Sequence, residues 1–377
     1  MKILFTGGGT GGHFYPIIAV AEAIRDIAKE EHLIAPELYY VGPEPYDEEI
    51  LFQNDILFKQ VTAGKLRRYH SLYNIVDSIK TAFGILTALW TLFMVYPDVV
   101  FSKGGYASFP TLFAARFLRI PVIIHDSDAI PGRVSLWSAK FARRIGVSYP
   151  ETADYFKTYQ DKVASVGNPV RKSLRNVLTE GAHEFLGLDP RVPTILIMGG
   201  SQGAQKINDV VLSALTDLVS HYQVIHQTGK RNFSEAEGSA KIVLEGSPYA
   251  SRYHAFAYLN DLAMRMAAGA ASVVISRAGS GSIFEIASWG KPSIVVPLDA
   301  LVSRDQQKNA YAYARTGAAI VIEEKNLTPH LLVSEINRLI ENTGTQEEMS
   351  RQARAFFKPD AARVIAKEII ATALKHE

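Results

Sequence analysis

The feature that most constrains the fold of this chain is a repeated unit, in which a short apolar strand enters a glycine-rich turn that opens a helix. One copy runs from the strand Lys2–Phe5 into the turn Gly7–Gly12, and another from Thr194–Met198 into Gly199–Gly203. Glycine at such junctions lets the backbone approach a ligand closely. Because the unit recurs in both halves, we predict an α/β fold with two doubly wound, Rossmann-like domains that face each other across a cleft.

A break in this pattern separates the two halves. The dipeptide Asn168-Pro169 disfavours the continuation of regular structure. A length of 377 residues is enough for two domains. We therefore expect a first domain at residues 1–167, joined by a C-terminal helix at about 355–377, and a second domain at residues 168–354.

The composition excludes several classes of protein. Hydrophobic residues make up 47% of the chain and charged residues 21%, which is typical of a folded globular protein. The chain has no cysteine, so disulfides and thiolate metal sites are excluded. A formal net charge of +2 gives no reason to expect a nucleic-acid partner. The amino-terminal MKILFTGGGTGGH lacks the apolar segment of a signal peptide, so we expect a cytoplasmic location.

A strand–turn–helix–strand unit at residues 272–310 carries candidate ligand-binding residues. The strand Val273–Ile275 enters the turn Gly279–Ser282, whose N–H groups at the start of a helix suit a phosphate. Glu285, expected in the first helical turn, can accept hydrogen bonds from a ribose diol. Further side chains able to bind hydroxyls follow the second strand, namely Asp305, Gln306, Gln307 and Asn309. These features predict a sugar-nucleotide site; the alternative is an ordinary turn with a capping glutamate.

The first glycine turn leads to His13, ahead of an expected helix at Pro16–Ala28. An imidazole titrates near neutral pH, so a histidine beside a ligand-binding loop is a candidate general base. The alternative is a structural histidine that caps the helix. Gly7, Gly9 and Gly12 also satisfy the loose pattern G-x-G-x-x-G, which by itself is weak evidence for a dinucleotide.

Residues 66–96 predict a helical region with basic residues near its start and an apolar second part. The basic residues are Lys65, Arg67, Arg68 and Lys80. The apolar part includes Leu89, Trp90 and Phe93. Such a helix can lie in a membrane interface; the alternative is a core helix, and we expect a mixture of the two. The apolar run Ala82–Tyr96 is shorter than the roughly 20 residues that span a bilayer.

Six motifs cover nearly the whole chain in order. They are GGGTGGH (7–13), GGYASFP (104–110), GNPVR (167–171), GGSQGA (199–204), HQTGK (226–230) and SRAGSGSIFEIASWGKPSIVVP (276–297). Together they resemble the MurG family of peptidoglycan glycosyltransferases, which have the GT-B fold. The resemblance implies an inverting enzyme that moves N-acetylglucosamine from UDP-GlcNAc to the muramoyl sugar of polyprenyl-diphosphate lipid I, forming lipid II.

The resemblance also assigns roles to residues. His13 matches the proposed general base, with Asp126 as the alternative. Donor contacts are implied for Thr10, Gly11, Gly12, Asp128, Arg171, Ser201, Leu259, Ser280, Gly281, Ser282, Ile283, Phe284, Glu285 and Gln306. Arg171 and Ser201 match residues on the diphosphate, and Leu259 matches a position whose backbone reads the uracil. The acceptor or membrane side is assigned to Tyr106, Ser108, Leu89, Trp90 and Phe93.

One block departs from the family. Where members usually have His-Glu-Gln-Asn, this chain has His125-Asp126-Ser127-Asp128. A later asparagine of the same loop appears as Ser135. The first change withdraws a carboxylate by about one methylene, and the last replaces a hydrogen-bond donor with a charge.

The resemblance implies a peripheral protein on the cytoplasmic side of the membrane that uses no cofactor and no metal ion. Asp126 and Asp128 form only a weak D-x-D pattern. Two rival functions share the architecture: a UDP-GlcNAc epimerase, which needs no lipid, and a non-catalytic subunit that binds a UDP-sugar. A nicotinamide oxidoreductase is less favoured, because no acidic residue follows the second strand in a suitable place.

Overall fold

The computed structural model describes residues 1–64, 73–199, 204–300 and 302–376. The chain divides into a first unit, Met1–Arg171 with Lys358–Glu377, and a second unit, Lys172–Phe357. The chain leaves the first unit after Arg171, four residues beyond the expected boundary, and returns to it at Lys358.

The first unit is built on a parallel sheet. In the described part of the chain its strands are β1 (Lys2–Thr6), β2 (Glu37–Gly42), β3 (Ile56–Gln60), β4 (Val99–Ser102), β5 (Val122–Asp126), β6 (Arg144–Val147) and β7 (Val163–Ser165). They lie in the order β3-β2-β1-β4-β5-β6-β7. Since all pairs are parallel, the carboxyl ends of β1, β4 and β5 meet at one edge, which is where ligands of such sheets bind.

Helices cover both faces of this sheet. They are α1 (Gly11–Glu30), α2 (Glu48–Gln53), α3 (Tyr73–Val95), α4 (Phe109–Phe117), α5 (Arg133–Ser138) and, from the end of the chain, α16 (Ala361–Leu374). Apolar side chains of α16, among them Ile365 and Ile369, share a core with Ile17 and Ile24 of α1. The last helix therefore belongs to the first unit.

The second unit repeats the scheme. Among the described residues its strands are β8 (Thr194–Met198), β9 (Gln223–Gln227), β10 (Tyr253–Phe256), β11 (Ala271–Arg277), β12 (Ser293–Val296) and β13 (Ala319–Val321), in the parallel order β10-β9-β8-β11-β12-β13. Its helices are α6 (Lys172–Arg175), α7 (Ala182–Leu186), α8 (Gln205–Ser213), α9 (Leu215–His221), α10 (Phe233–Val243), α11 (Asp261–Ala270), α12 (Ser280–Trp289), α13 (Arg304–Ala314), α14 (Pro329–Glu341) and α15 (Thr343–Phe356). Both doubly wound sheets agree with the predicted fold class.

Three helix starts differ from expectation. Helix α1 begins at Gly11, inside the first glycine motif, so Gly11, Gly12 and His13 are helical rather than part of the loop. Helix α11 begins at Asp261, where the side chain of Asn260 accepts a hydrogen bond from the N–H of Ala263; the sequence had suggested a loop at residues 259–262, and the structure has a capped helix start. Helix α12 begins at Ser280, which places Glu285 in the second turn.

Helix α3 begins well before the apolar run Ala82–Tyr96 that the sequence showed. Among the described residues, its segment Asp77–Val95 is long and apolar enough to cross a membrane by length and composition. From the apolar run Ala82–Tyr96 alone, the sequence had indicated a segment too short to span a bilayer; the helical segment in the structure is longer than that run. The helix nevertheless packs closely on its own unit, because a Cβ added at Gly84 would lie 1.8 Å from the carbonyl oxygen of Thr62. Lys65, Arg67 and Arg68 lie outside the described residues.

Candidate active site

Two glycine turns of the first unit lie against each other. The N–H of Gly8 donates to the carbonyl of Gly104 at 3.1 Å. A Cβ at Gly8 would lie 3.1 Å from the Cα of Gly105, which itself has a φ of +81°. Side chains at these positions would separate the turns, so glycine is required for the close approach. The turns that follow β1 and β4 therefore form one surface at the carboxyl edge of the sheet.

His13 lies in the first turn of α1, where its Nδ1 is 3.0 Å from Oγ1 of Thr10. Burial and the ammonium group of Lys103 lower the pKa of His13 to about 4, while the carboxylate of Asp126 opposes this shift. The imidazole is therefore neutral at pH 7. If Nδ1 carries the proton and donates it to Thr10, the lone pair of Nε2 is free to accept another.

A buried polar cluster that the sequence reasoning missed lies behind this histidine. Nζ of Lys103 donates to Nδ1 of His125 and to Oδ1 of Asn168, the latter at 3.1 Å. Nε2 of His125 in turn lies 2.9 Å from the carbonyl of Gly167, so the ring carries its proton on Nε2. Ser127 also donates to Oδ1 of Asn168. The signal was available, since Lys103 directly follows strand β4 and immediately precedes the second glycine motif.

Asp126 holds its own loop. Its two carboxylate oxygens accept hydrogen bonds from the N–H groups of Asp128, at 3.2 Å, and Gly132, at 3.1 Å. Burial and the neighbouring Asp128 raise the pKa of Asp126, and these amides together with Ser135 lower it. The geometry gives this carboxylate a structural task, while Asp128 is half-buried at the same edge.

The two acceptor-side residues of the second turn differ in exposure. Ser108 is buried, and its hydroxyl donates to the carbonyl of Gly105 at 2.8 Å, so it stabilises the turn and does not reach a ligand. Tyr106 is partly exposed, and a Cβ added at Gly9 would lie 3.5 Å from its hydroxyl. Tyr106 therefore stands beside the first glycine turn.

Arg171 ends the first unit. Its guanidinium carbon lies 4.2 Å from the centroid of the Tyr15 ring in α1, a cation–π distance. Tyr15 in turn contacts the helix start, since a Cβ at Gly11 would lie 3.1 Å from its ring. Arg171 is thus held beside the same helix that carries His13.

Helix α12 carries the predicted anion-binding turn of the second unit. The N–H groups of its first turn, at Ser280, Gly281 and Ser282, lie at the positive end of the helix dipole, which suits an anion. Ile283 and Phe284 are fully buried, and Phe284 packs on Phe356, so their side chains are core and only their backbone can face a ligand. Their assignment as donor contacts therefore does not concern the side chains and stays a prediction.

The remaining assigned residues of the second unit are held by side-chain hydrogen bonds. Gln227 accepts the N–H of Leu259 at 2.9 Å through Oε1, which fixes the backbone at the position predicted to read the uracil. Gln306 accepts the N–H of Leu298 at 3.2 Å through Oε1. Asn309 is fully buried, and its amide donates to Ala278 at 3.4 Å, so it is not a hydroxyl-binding residue. Ser201 lies outside the described residues.

One face of helix α3 is exposed and apolar. Trp90 is 66% exposed and Phe93 61% exposed, whereas Ala88 and Leu92 are buried in the core. Leu89 is partly buried against that core. The exposed apolar side chains of this face, which we call the α3 face, are Ile79, Phe83, Leu86, Trp90, Phe93 and Met94. The helix therefore has one core face and one exposed apolar face, and contact of the exposed face with a membrane stays a prediction.

Comparison with known proteins gives the class. Residues 3–147 match the glycosyltransferase family 28 N-terminal domain, and residues 194–365 match the C-terminal domain of that family. The crystal structure of Acinetobacter baumannii MurG superposes with a TM-score of 0.73 at 24% identity, covering 98% of this chain and 99% of that one. A Neisseria meningitidis UDP-GlcNAc 2-epimerase bound to UDP-GlcNAc gives 0.68 at 14% identity, covering 98% and 100%. The fold and the domain matches together define a GT-B glycosyltransferase.

The closer relatives are proteins named UDP-N-acetylglucosamine–N-acetylmuramyl-(pentapeptide) pyrophosphoryl-undecaprenol N-acetylglucosamine transferase. The one from Treponema denticola is 35% identical over 97% of this chain and 94% of its own length. That from Legionella pneumophila is 37% identical over 97% and 96%. The chain belongs to this transferase family, the MurG family.

Proposed function

We propose that the chain transfers N-acetylglucosamine from UDP-GlcNAc to the muramoyl sugar of a polyprenyl-diphosphate-linked muramoyl peptide, as the names of its relatives state for them. The observation that carries the proposal is identity of 35–37% to these transferases along nearly the whole chain. The epimerase shares only the fold, at 14% identity.

We assign the donor to the second unit. The N–H groups at the start of α12 suit the diphosphate, and the half-buried carboxylate of Glu285 one turn later suits the ribose diol. The carbonyl of Leu259, fixed through Gln227, suits an N–H of uracil. Since Oε1 of Gln306 is engaged by the backbone, its amide N–H groups are the ones that we assign to the donor sugar.

The transfer step places a negative charge on UDP and removes a proton from the acceptor. The acceptor oxygen attacks the anomeric carbon, its proton passes to Nε2 of His13, and the bond to the diphosphate breaks with its electron pair on UDP. A base with a pKa near 4 is weak, but the nearby Asp126 carboxylate favours the protonated imidazole. We assign the stabilisation of UDP to Arg171 and the start of α12.

These fixed positive groups supply the charge that a metal ion would otherwise provide, so we propose transfer without a metal. In the described ranges no group of three or more His, Asp or Glu side chains is arranged to hold one. Asp126, with both oxygens on backbone amides, is the less suitable base.

We propose that the α3 face rests on the cytoplasmic surface of the membrane, where the lipid-linked acceptor is reached. Helix α4 contacts α3 and extends the apolar surface through Phe113 and Phe117, which are also exposed. An apolar helix face of this kind binds the headgroup boundary of a bilayer. The protein would then be a peripheral membrane protein. A nucleic-acid partner is not proposed, since the net charge is only +2.

The test is an assay of UDP release by the purified chain with UDP-GlcNAc, in the presence and absence of a lipid I analogue. Transfer predicts release only when the acceptor is present, together with a disaccharide-lipid product. An epimerase would convert the sugar nucleotide without acceptor. Binding of UDP-GlcNAc with no product under either condition would indicate a non-catalytic subunit.

A further inference from the structure

Lys103 is a buried cation whose hydrogen-bond partners are neutral. It is 1% exposed, and its described partners, His125 and Asn168, carry no negative charge. Burying a charge that no opposite charge contacts directly is costly. A neutral side chain would fill this space at lower cost, so the charge itself calls for an explanation.

The position of Lys103 provides one. Its N–H donates to the carbonyl of Thr6 at 2.9 Å, across from strand β1. A Cβ added at Gly7 would lie 3.2 Å from the Cβ of Lys103 and 3.6 Å from the Cβ of His13. The lysine and the candidate base therefore start from the same side of the first glycine turn.

Several charged and titratable groups act at this point. Burial disfavours protonation of the His13 imidazole most strongly, the Lys103 ammonium adds to this effect, and the Asp126 carboxylate favours protonation. Asp126 and Asp128 favour the charged form of Lys103, against burial, which lowers its pKa to about 7. Burial and Lys103 also lower the pKa of His125 well below its usual value. Asp128 adds a second negative charge at this edge of the sheet, which Lys103 offsets.

We propose that Lys103 is a positioning residue for the transfer reaction, whose Nζ fixes His125 and Asn168 behind the glycine turns and whose charge acts on the imidazole of His13 beside the first of them. The neutral imidazole of His13 can then take the proton of the acceptor hydroxyl at Nε2. The kinetic part of this inference rests on the proposed role of His13 as base; the electrostatic part does not.

The direct test is a titration of the His13 imidazole in the full-length protein by NMR, assigned with a His13→Gln variant. Lys103→Gln keeps a donor for His125 and Asn168 but removes the charge, and it should raise the pKa of His13 by about one pH unit, the lower end of the usual effect of a nearby charge, because burial is the larger cause of the low pKa. Lys103→Arg keeps the charge and should leave this pKa low. Lys2→Met is the matched control, since Nζ of Lys2 donates to the carbonyl of Val95 elsewhere in the first unit.

An unchanged His13 titration in the Lys103→Gln variant would overturn the inference, whatever its activity. If that variant is insoluble, Lys103→Met serves as the second neutral replacement, with a thermal melt to show that it is folded.

The acid limb of the profile of kcat/KM against pH supplies the second measurement. The apparent pKa of this limb should rise in the Lys103→Gln variant by the same amount as the pKa measured by NMR. A shifted titration with an unmoved limb would overturn the assignment of His13 as base, and with it the catalytic consequence of Lys103, while leaving the electrostatic relationship in place.

Discussion

Oγ1 of Thr10 lies 3.0 Å from Nδ1 of His13, three residues further along the chain. Because Thr10 immediately precedes helix α1 and His13 lies in its first turn, the local geometry alone brings the two side chains together. The contact fixes one ring nitrogen and leaves the other for a substrate. The same three-residue spacing serves a helix cap in many proteins, and here it orients a candidate base.

We predict that His13→Ala lowers turnover at least about tenfold, the low end of what a general base contributes, while the affinity for UDP-GlcNAc stays nearly unchanged. Thr10→Val should lower kcat in the same direction by a smaller factor, because the ring loses its hydrogen bond but remains present. Steady-state kinetics and calorimetry measure the two effects. Unaltered turnover in His13→Ala would remove this residue from the mechanism.

Glu285→Ala should weaken UDP binding about tenfold or more, since a hydrogen bond to a charged group contributes about 1.5–3 kcal/mol. Isothermal titration calorimetry with UDP measures this. Glu245→Ala, at an exposed position in the same unit, is the matched control and should bind UDP like the parent protein. Equal affinity of the Glu285 variant and the parent would contradict the ribose assignment.

Gln227→Met should also weaken UDP binding, although we assign it no contact with the nucleotide. The substitution removes the acceptor of the Leu259 N–H, so the loop loses the bond that orients the Leu259 carbonyl. The affinity for pyrophosphate, which has no uracil, should fall less than the affinity for UDP, because the substitution affects only the contact with the base. A comparison of UDP with pyrophosphate in the same titration checks this, and equal losses for both would indicate general damage to the unit.

The combined change Leu86→Ser, Trp90→Ser and Phe93→Ser should reduce binding to vesicles that contain anionic lipid, without lowering the melting temperature. Fully burying such a side chain contributes about 1.5–3 kcal/mol, so the loss should exceed tenfold. Leu92→Ser is the contrasting control, because Leu92 is in the core and its replacement should destabilise the fold. Unfolding of the triple variant would show instead that the α3 face is structural.

Buried neutral histidines predict how stability depends on pH. Burial lowers the pKa of His226 to about 3, while in the unfolded chain the same group has its ordinary value of 6.5. Between these values the unfolded state binds a proton that the native state does not, so the free energy of unfolding should fall as the pH drops from about 6.5. Above that range the contribution is fully present.

Urea unfolding at about pH 7.5 and pH 5 measures this loss. His226→Gln should reduce the difference between the two conditions, and His221→Gln, at an exposed position, should leave it unchanged. An identical pH dependence in the His226 variant and the parent would exclude His226 as a source.

Much of this protein follows from local sequence. Alternation of apolar strands, glycine turns and amphipathic helices determined both doubly wound units, and the spacing of Thr10 and His13 determined their contact, because strand, turn and helix preferences act over a few residues. The mixed character of α3 followed from its excess of apolar residues over one buried face.

The tertiary structure decided which polar residues face a ligand. Lys103 meets His125 because β4 and β5 are neighbours in a parallel sheet whose carboxyl ends coincide, and Asn168 reaches the same amine from the segment after β7. Ser108 and Asn309, which read as ligand-binding residues, are buried and bonded to backbone carbonyls. Such outcomes depend on the order of strands and on contacts between distant parts of the chain, and local residue preferences carry no information about either.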